Sequence, residues 1–466
     1  MSYYAIVTQL KDVRPHPNAD RLQLATVFGN TICVDLTYAE GQVGVYFPTG
    51  GQLSVKFAEA NNLLRKKDAE GNNIGGYMDP DKRNVTAIKL RGEKSDGLFL
   101  PLKCLESFGD ISKLSVGDRI DLFNGEEICT KYIPRTQARR GGYSEGNRTR
   151  KVKAPIAPLF AEHADTEQLA YNLGAFRVGD ELEFTLKMHG TSQRTGHLRT
   201  LQGYKRTLLD KLLKRPGKPV YDWGYVSGTR RVVLDTFDGG FYGSNEFREQ
   251  HHNAFVGKLW KGETVYYEVV GFTHTGASIM GSGSNEKLGK DFVRQYGKET
   301  VFSYGCTASG YPANADGPKS PANQSTIYVY RMTMTNEDGE VVEYTPDFMR
   351  YRCEQMGIKC VPVFGKAVLS ADRLHFTASD GYDHDYLIGD EDTGAMVLRC
   401  AEDYFDGTDP VGKTHIREGV VVRILNRPKF CAYKHKNFSF KCLEGLVQAQ
   451  LAESTEDIAE DVLAEM

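Results

Sequence analysis

Nowhere in this sequence do two cysteines stand in a CxxC pair, and the nine that exist, from Cys33 to Cys442, are scattered. That excludes a zinc knuckle or a disulfide-stapled scaffold and predicts reduced, mostly core thiols of a cytoplasmic protein. No positive excess is present either. With 58 Lys and Arg against 61 Asp and Glu, the formal net charge is -3, so a uniformly basic nucleic-acid coat is ruled out while local basic surfaces are not. The first residues, MSYYAIVTQLKDVRPHP, lack the basic and apolar regions of a secretion signal, and no apolar run approaches membrane-spanning length, so no membrane is expected as a partner. A chain of 466 residues exceeds one ordinary core, so two or three domains are expected.

Residues 1–125 read as short strands between turns. YYAIVTQL, QLATVF, TICVDL, VGVYFP, VTAIKL and GLFLPL are punctuated by HPNAD, AEGQ, TGGQ and RGEKSDG, the rhythm of a small all-β barrel. Residues 126–160 form a linker whose centre, PRTQARRGGYSEGNRTRKVK, is rich in Arg and Lys. Arg139 and Arg140 are its candidate contacts to a phosphate backbone. Residues 161–445 alternate strand and helix without regular βαβ spacing, which predicts an α+β fold of mainly antiparallel sheets. TLLDKLLKR (207–215) and TPDFMRYRCEQMG read as helices. Residues 446–466 suggest a short acidic helix opened by Ser454, with Asp457 at the capping-box position.

ELEFTLKMHGTSQRTG, residues 181–196, begins as a half-buried strand and breaks into glycine and hydroxyl residues just after Lys187. A lysine becomes a nucleophile when burial or nearby cations favour its neutral form. Gly190 would let a phosphate approach the backbone, and Thr191 or Ser192 could bond that phosphate or a nucleoside. KMHGTS therefore fits an amine that attacks phosphorus. The remaining parts occur in a workable order. Arg230 and Arg231 in SGTRRVVL can fork onto phosphate oxygens. Glu268, inside the apolar strand VYYEVVGF, is a candidate acceptor for a ribose hydroxyl. Tyr328 and Tyr330 share one strand face, and one of them can stack on a purine. Glu418, at the head of REGVVVRIL, is a candidate ligand of a divalent metal. Lys434 and Lys436 in AYKHKNFSFK share a strand face, an arrangement explained by a triphosphate between them or by an effect on Lys187. Adjacent His251 and His252 point to different helix faces and are not expected to hold a metal.

The ordered series KMHG, SGTRR, YEVVG, IYVYR, EGVVVR and YKHK resembles the motifs of the covalent nucleotidyltransferases, the ATP-dependent RNA and DNA ligases and the mRNA-capping enzymes. KMHGTS is most similar to the nick-sealing RNA ligase branch, although some relatives carry Asp at the place of His189. PHPNADRLQLATV and AIKLRGEKSDGLFLPL resemble the paired signatures of EMAP-type tRNA-binding OB domains. An OB domain in front of the transferase domain, with only about 30 residues after Lys436, favours the RNA ligase branch over DNA ligases and capping enzymes. The resemblance implies an ATP-dependent RNA ligase with Mg²⁺ or Mn²⁺ as cofactor. Its partners would be RNA ends, as at a nicked duplex, with no protein partner and a monomeric chain. It further implies catalytic roles for Lys187, Lys434 and Lys436. The nucleotide would be held by His189, Gly190, Thr191, Arg230, Arg231, Glu268, Tyr330 and the two lysines, with Tyr330 on adenine and metal on Glu418. The alternatives are a capping-type guanylyltransferase and a non-enzymatic tRNA- or RNA-binding protein. The segment 345–410 has no counterpart in the motif series.

Overall fold

The computed structural model describes residues 3–67, 69–70, 73–132, 154–213, 215, 217–238, 242, 244–312, 317–389 and 392–450. Arg139, Arg140 and the acidic segment after residue 450 lie outside them. The chain is α+β, with several sheets and few helices, and it divides into two compact units. Among the described residues, no helix is long and apolar enough to cross a membrane. All nine cysteines are free thiols.

The first unit comprises residues 1–135, 283–299 and 436–454. Each of the six strand-like runs read from its sequence contains a strand. Ala5–Gln9, Val43–Phe47, Leu98–Pro101 and Arg119–Ile120 form a four-stranded antiparallel sheet. Lys11–Pro15, Leu22–Val27 and Asn30–Asp35 form a three-stranded one, and Ala87–Leu90 pairs with Glu93–Asp96. Val7, Val45, Phe47, Leu53, Phe57, Leu105 and Ile128 pack as its core. Two later segments of the chain, 283–299 and 436–454, cluster with residues 1–135 in this unit. One carries the helix Lys290–Tyr296 and the other the helix Phe438–Gln450. Lys441 from the second pairs with the buried Asp96 at 2.5 Å, a long-range contact that no local pattern announces.

The second unit is built on two mainly antiparallel sheets. One has seven strands in the order Glu167–Gln168, Ala432–Lys436, Gly419–Ile424, Glu181–Lys187, Val363–Leu369, Arg373–Ala378, Asp383–Leu387. The first two of these pair in parallel. The other has six strands in the order Val233–Leu234, Lys218–Gly228, Thr191–Lys205, Glu263–Gly271, Ser325–Thr335, Val341–Glu343. The lysine strand is buried more fully than its alternation suggested. Leu182, Phe184 and Leu186 face the core, yet Glu183 on the other side is also buried and is held by Arg350 at 2.7 Å.

The unplaced segment 345–410 supplies three of the seven strands, and Val363–Leu369 pairs directly with the lysine strand. It also supplies two helices. Pro346–Met356 is capped by Thr345 and ended by Gly357 at φ 70°, as its sequence signals predict, and Thr393–Phe405 is capped by Asp392. The helix expected over 207–215 shortens to Leu208–Leu212, inside a Thr207–Asp210 capping box.

Candidate active site

Lys187 ends a strand of the seven-stranded sheet, and Thr191 starts a strand of the six-stranded sheet. Met188, His189 and Gly190 carry the chain from one sheet to the other. Gly190 is required there by space. A Cβ at this position would lie 2.3 Å from the Val269 carbonyl oxygen and 2.9 Å from the Glu268 side chain.

Lys187 pairs in register with Gly419, so the preceding residue, Glu418, falls beside the lysine. Its Oε1 is 2.7 Å from Lys187 Nζ. The Glu418 side chain is 2 % exposed and the Lys187 side chain 22 %, so the amine keeps access that the carboxylate lacks. His189 Nδ1 lies 3.5 Å from Glu418 Oε2, and its ring meets Phe302 edge-on at 4.5 Å. The His189 backbone N–H donates to the Tyr304 hydroxyl at 2.8 Å. Burial first, and then the negative charge of Asp409, push the Tyr304 hydroxyl well above its ordinary range, so it stays protonated.

The six-stranded sheet presents a second set of groups. Ser192 lies opposite Glu268, and Glu268 opposite Tyr328, so the three share one face. Tyr330 joins them through a β-bulge. Tyr266 pairs with Arg331 and Tyr267 with Val329, which leaves Tyr330 as the extra residue. Its hydroxyl hydrogen-bonds Ser192 Oγ at 2.9 Å, and its ring packs on His163 at 5.0 Å. Tyr328 is buried and Tyr330 half-buried, which leaves Tyr330 the more accessible ring. Thr191 departs from its expected role. Strand alternation turns it to the opposite face, where its hydroxyl accepts from Arg248 Nη2 at 2.7 Å, and Ser192 takes the Glu268 side.

Cations gather around His163, whose ring packs on Tyr330. Arg230 and Arg231 reach Asp165 at 3.6 and 3.2 Å. Burial, reinforced by Arg331, Arg230, Arg194 and Lys434, drives His163 well below its ordinary range and keeps it neutral. Lys434 is buried, two strands from the lysine strand, about 10 Å by sheet spacing. Lys436 ends the Ala432 strand with its ammonium on Glu444 at 3.0 and 2.9 Å, so its charge is locally balanced rather than doubled with that of Lys434.

Sequence reasoning missed His163, Asp165, Arg194, Tyr304 and Arg331. Arg194 was legible in principle, being the fourth residue of the strand that Thr191 opens. Arg331 closes the IYVYR run itself, whereas His163, Asp165 and Tyr304 sit outside any motif spacing.

No protein-family model matches this sequence, and no curated protein sequence matches it significantly. Solved structures do match it in three dimensions. Naegleria gruberi RNA ligase, as a lysine-to-alanine variant with ATP and Mn, aligns with a TM-score of 0.50 at 16% identity, over 95% of this chain and 98% of that one. A glutamate-to-alanine variant of the same ligase, also with ATP and Mn, aligns with a TM-score of 0.51 at 15% identity, over 94% and 98%. The chain has the fold of that RNA ligase. Within this fold, the motif residues Lys187, Glu268, Tyr330, Glu418 and Lys434 all belong to the second unit, four of them in its two sheets and Glu418 just ahead of the strand Gly419–Ile424.

The donor set at Glu418 suits a hard divalent cation held mainly by something other than protein. A buried carboxylate and an imidazole nitrogen stand together, and no group of three or more His, Cys, Asp or Glu placed for a metal occurs among the described residues. Mg²⁺ or Mn²⁺ bound there would complete its shell with phosphate oxygens and water.

Proposed function

We propose that this protein is an ATP-dependent RNA ligase. It joins a 3′-hydroxyl end to a 5′-phosphate end through lysyl-AMP and RNA-adenylate intermediates, at nicks in duplex RNA or RNA/DNA hybrids. The observation that carries this reading is the 2.7 Å pairing of the accessible Lys187 amine with the buried Glu418, on the turn where the chain passes between the two sheets.

In the first step the Lys187 nitrogen forms a bond to the α-phosphorus of ATP, and the bond to the pyrophosphate oxygen breaks. An ammonium has no lone pair, so one proton must leave first. Glu418 can pair either with that ammonium or with a divalent cation, and turning to the cation leaves the amine unpaired. The cation would neutralise charge on the transferring phosphoryl group when bound. Tyr330 stacks on adenine, and Glu268 accepts from the ribose. Lys434 offers positive charge to the phosphates, with Lys436 once released from Glu444. In the second step a 5′-phosphate oxygen attacks the same phosphorus and frees Lys187. In the third, the 3′-hydroxyl attacks the activated phosphate and AMP leaves. Arg230 and Arg231 take the phosphate of the RNA end in exchange for Asp165. Splitting one difficult displacement into easier ones is the gain of covalent catalysis.

The first 125 residues, as an OB-type domain, and the basic stretch around Arg139 and Arg140 would hold RNA. Truncating the chain at 125 would strip packing from 283–299 and 436–454, which cluster with that unit. The RNA role is therefore tested by Arg139→Ala/Arg140→Ala, which should lower the slope of log affinity against log salt by about 1–2.

The central test is incubation with ATP labelled at the α-phosphate and Mn²⁺ or Mg²⁺. Label should remain on the protein and disappear in Lys187→Ala. Label on that variant would place the nucleophile elsewhere, and label from GTP alone would turn the reading to a capping-type guanylyltransferase. Sealing of RNA nicks but not DNA nicks completes the assignment.

A further inference from the structure

Tyr304 stands in a conformation that its side chain makes unfavourable. It is a bulky, buried residue at φ 48°, in the left-handed region that L-residues avoid, inside a tight turn where Cys306 N–H donates to Ser303 O at 2.8 Å. Such strain persists only where surrounding structure imposes it, and it concentrates at functional sites. Here its effect is to place the hydroxyl behind the KMHG turn, as acceptor for the His189 backbone N–H. The ring beneath is fixed as well. It packs edge-on against His415 at 4.7 Å, His415 packs on Phe302 at 5.1 Å, and Phe302 meets the His189 ring at 4.5 Å. His415 is itself tied down, with its Nδ1 on Ile416 O at 3.0 Å and its carbonyl accepting from Asp409 N–H at 2.9 Å. Asp409 is fully buried and closes the loop by accepting from the N–H groups of Val411 and Gly412, both at 2.8 Å. That loop ends two residues before Glu418. One aromatic platform thus touches the turn after Lys187 and the approach to its carboxylate partner.

We propose that Tyr304 is a positioning residue that fixes the Lys187–Gly190 turn against the loop leading to Glu418, and so sets the line of attack of the Lys187 amine. The proposal rests on the ligase reading above. Tyr304 does not touch the reacting atoms, and no sequence motif marks it. Near-attack alignment is sensitive to displacements of about 1 Å, so the loss should fall on the rate of lysine adenylylation and spare ATP binding.

Tyr304→Phe keeps the ring and its contacts and removes only the hydroxyl. Two measurements on the full chain test it. In the first, backbone amide exchange of the 187–190 peptide, read by mass spectrometry, should quicken in the variant while exchange of the Glu263–Gly271 strand stays unchanged. In the second, single-turnover labelling with α-labelled ATP should slow about 10- to 100-fold at saturating ATP, with the half-saturating ATP concentration within about threefold of wild type. Unchanged exchange at 187–190 overturns the proposal, as does a wild-type labelling rate. A variant that slows only through global unfolding would raise exchange across the whole second unit, and that too overturns it. The exchange arm needs no ATP chemistry, so an unlabelled wild-type protein would sink the ligase reading while leaving the role of Tyr304 decided by exchange.

Discussion

The two faces of the strand that begins Thr191, Ser192, Gln193 differ in what covers them. On one face lie Thr191, Gln193 and Thr195, covered by the helix Glu246–Asn253. Arg248 of that helix, fully buried, donates to Thr191 Oγ1 and to the Ser192 carbonyl, and its own carbonyl accepts from Gln193 Nε2. His251 meets Ser325 Oγ at 2.8 Å. On the other face lie Ser192, Glu268, Tyr328 and Tyr330, with Glu268 half-exposed. Both faces are polar. One spends its polar groups on its own helix, and the other leaves a carboxylate and a ring with access to solvent. Buried polar groups satisfied within the chain stabilise it, whereas those kept accessible are available to a ligand.

Substitutions on the two faces should therefore part stability from activity. The largest effect on stability is expected for Arg248→Ala. It removes the buried donor that the Thr191 hydroxyl and the Ser192 carbonyl accept from and should cost about 3–5 kcal/mol in denaturant unfolding. Glu268→Ala should do the reverse. The adenylylation rate should fall about 100- to 1,000-fold, while unfolding free energy stays within about 1 kcal/mol. If Glu268→Ala destabilises as much as Arg248→Ala, the two faces do not differ in kind.

His251 sharpens the comparison through pH. Burial first, and then Arg248, push its imidazole down to about 4, from 6.5. Between those values the unfolded chain binds more protons than the folded one. Stability from this group is thus complete above pH 6.5 and drains away as pH falls toward 4, by up to about 3 kcal/mol. In His251→Asn that part of the acid sensitivity should vanish from the unfolding curves measured at pH 7, 6, 5 and 4.5. The smallest effect is expected at Ser192→Ala. Loss of its bond to the Tyr330 hydroxyl should cost about 1 kcal/mol or less and raise the half-saturating ATP concentration a few-fold. Thr191→Val on the opposite face should leave that concentration unchanged.

Several positions of the candidate site were legible in the sequence: Lys187 stands at a strand end, Glu268 inside an apolar strand and Glu418 just before a strand. The helix 346–356 follows directly from Thr345 and Gly357, because caps are local interactions. Other features were hidden for definite reasons. Thr191 and Ser192 are neighbours of similar chemistry, and nothing local says which of them faces the covering helix. Tyr304 is a turn residue far along the chain from the lysine it supports. The charge of Lys436 was read from its strand partner at 434, while its actual companion, Glu444, comes from the following helix. The segment 345–410 carries no motif of the series, yet it adds three strands to the sheet of the lysine strand, of which Val363–Leu369 pairs with it directly, and two helices.

Sequence by itself determined which residue types occur in which order, the strand periods, and the caps, since each depends on neighbours within a few residues. Only the tertiary structure decided that Lys187 meets Glu418, that a bulge brings Tyr330 to Ser192, and that residues 283–299 and 436–454 join the first unit. Those pairings link positions scores to hundreds of residues apart. Burial of side chains from several segments at once selects them, and no single stretch of chain carries that information.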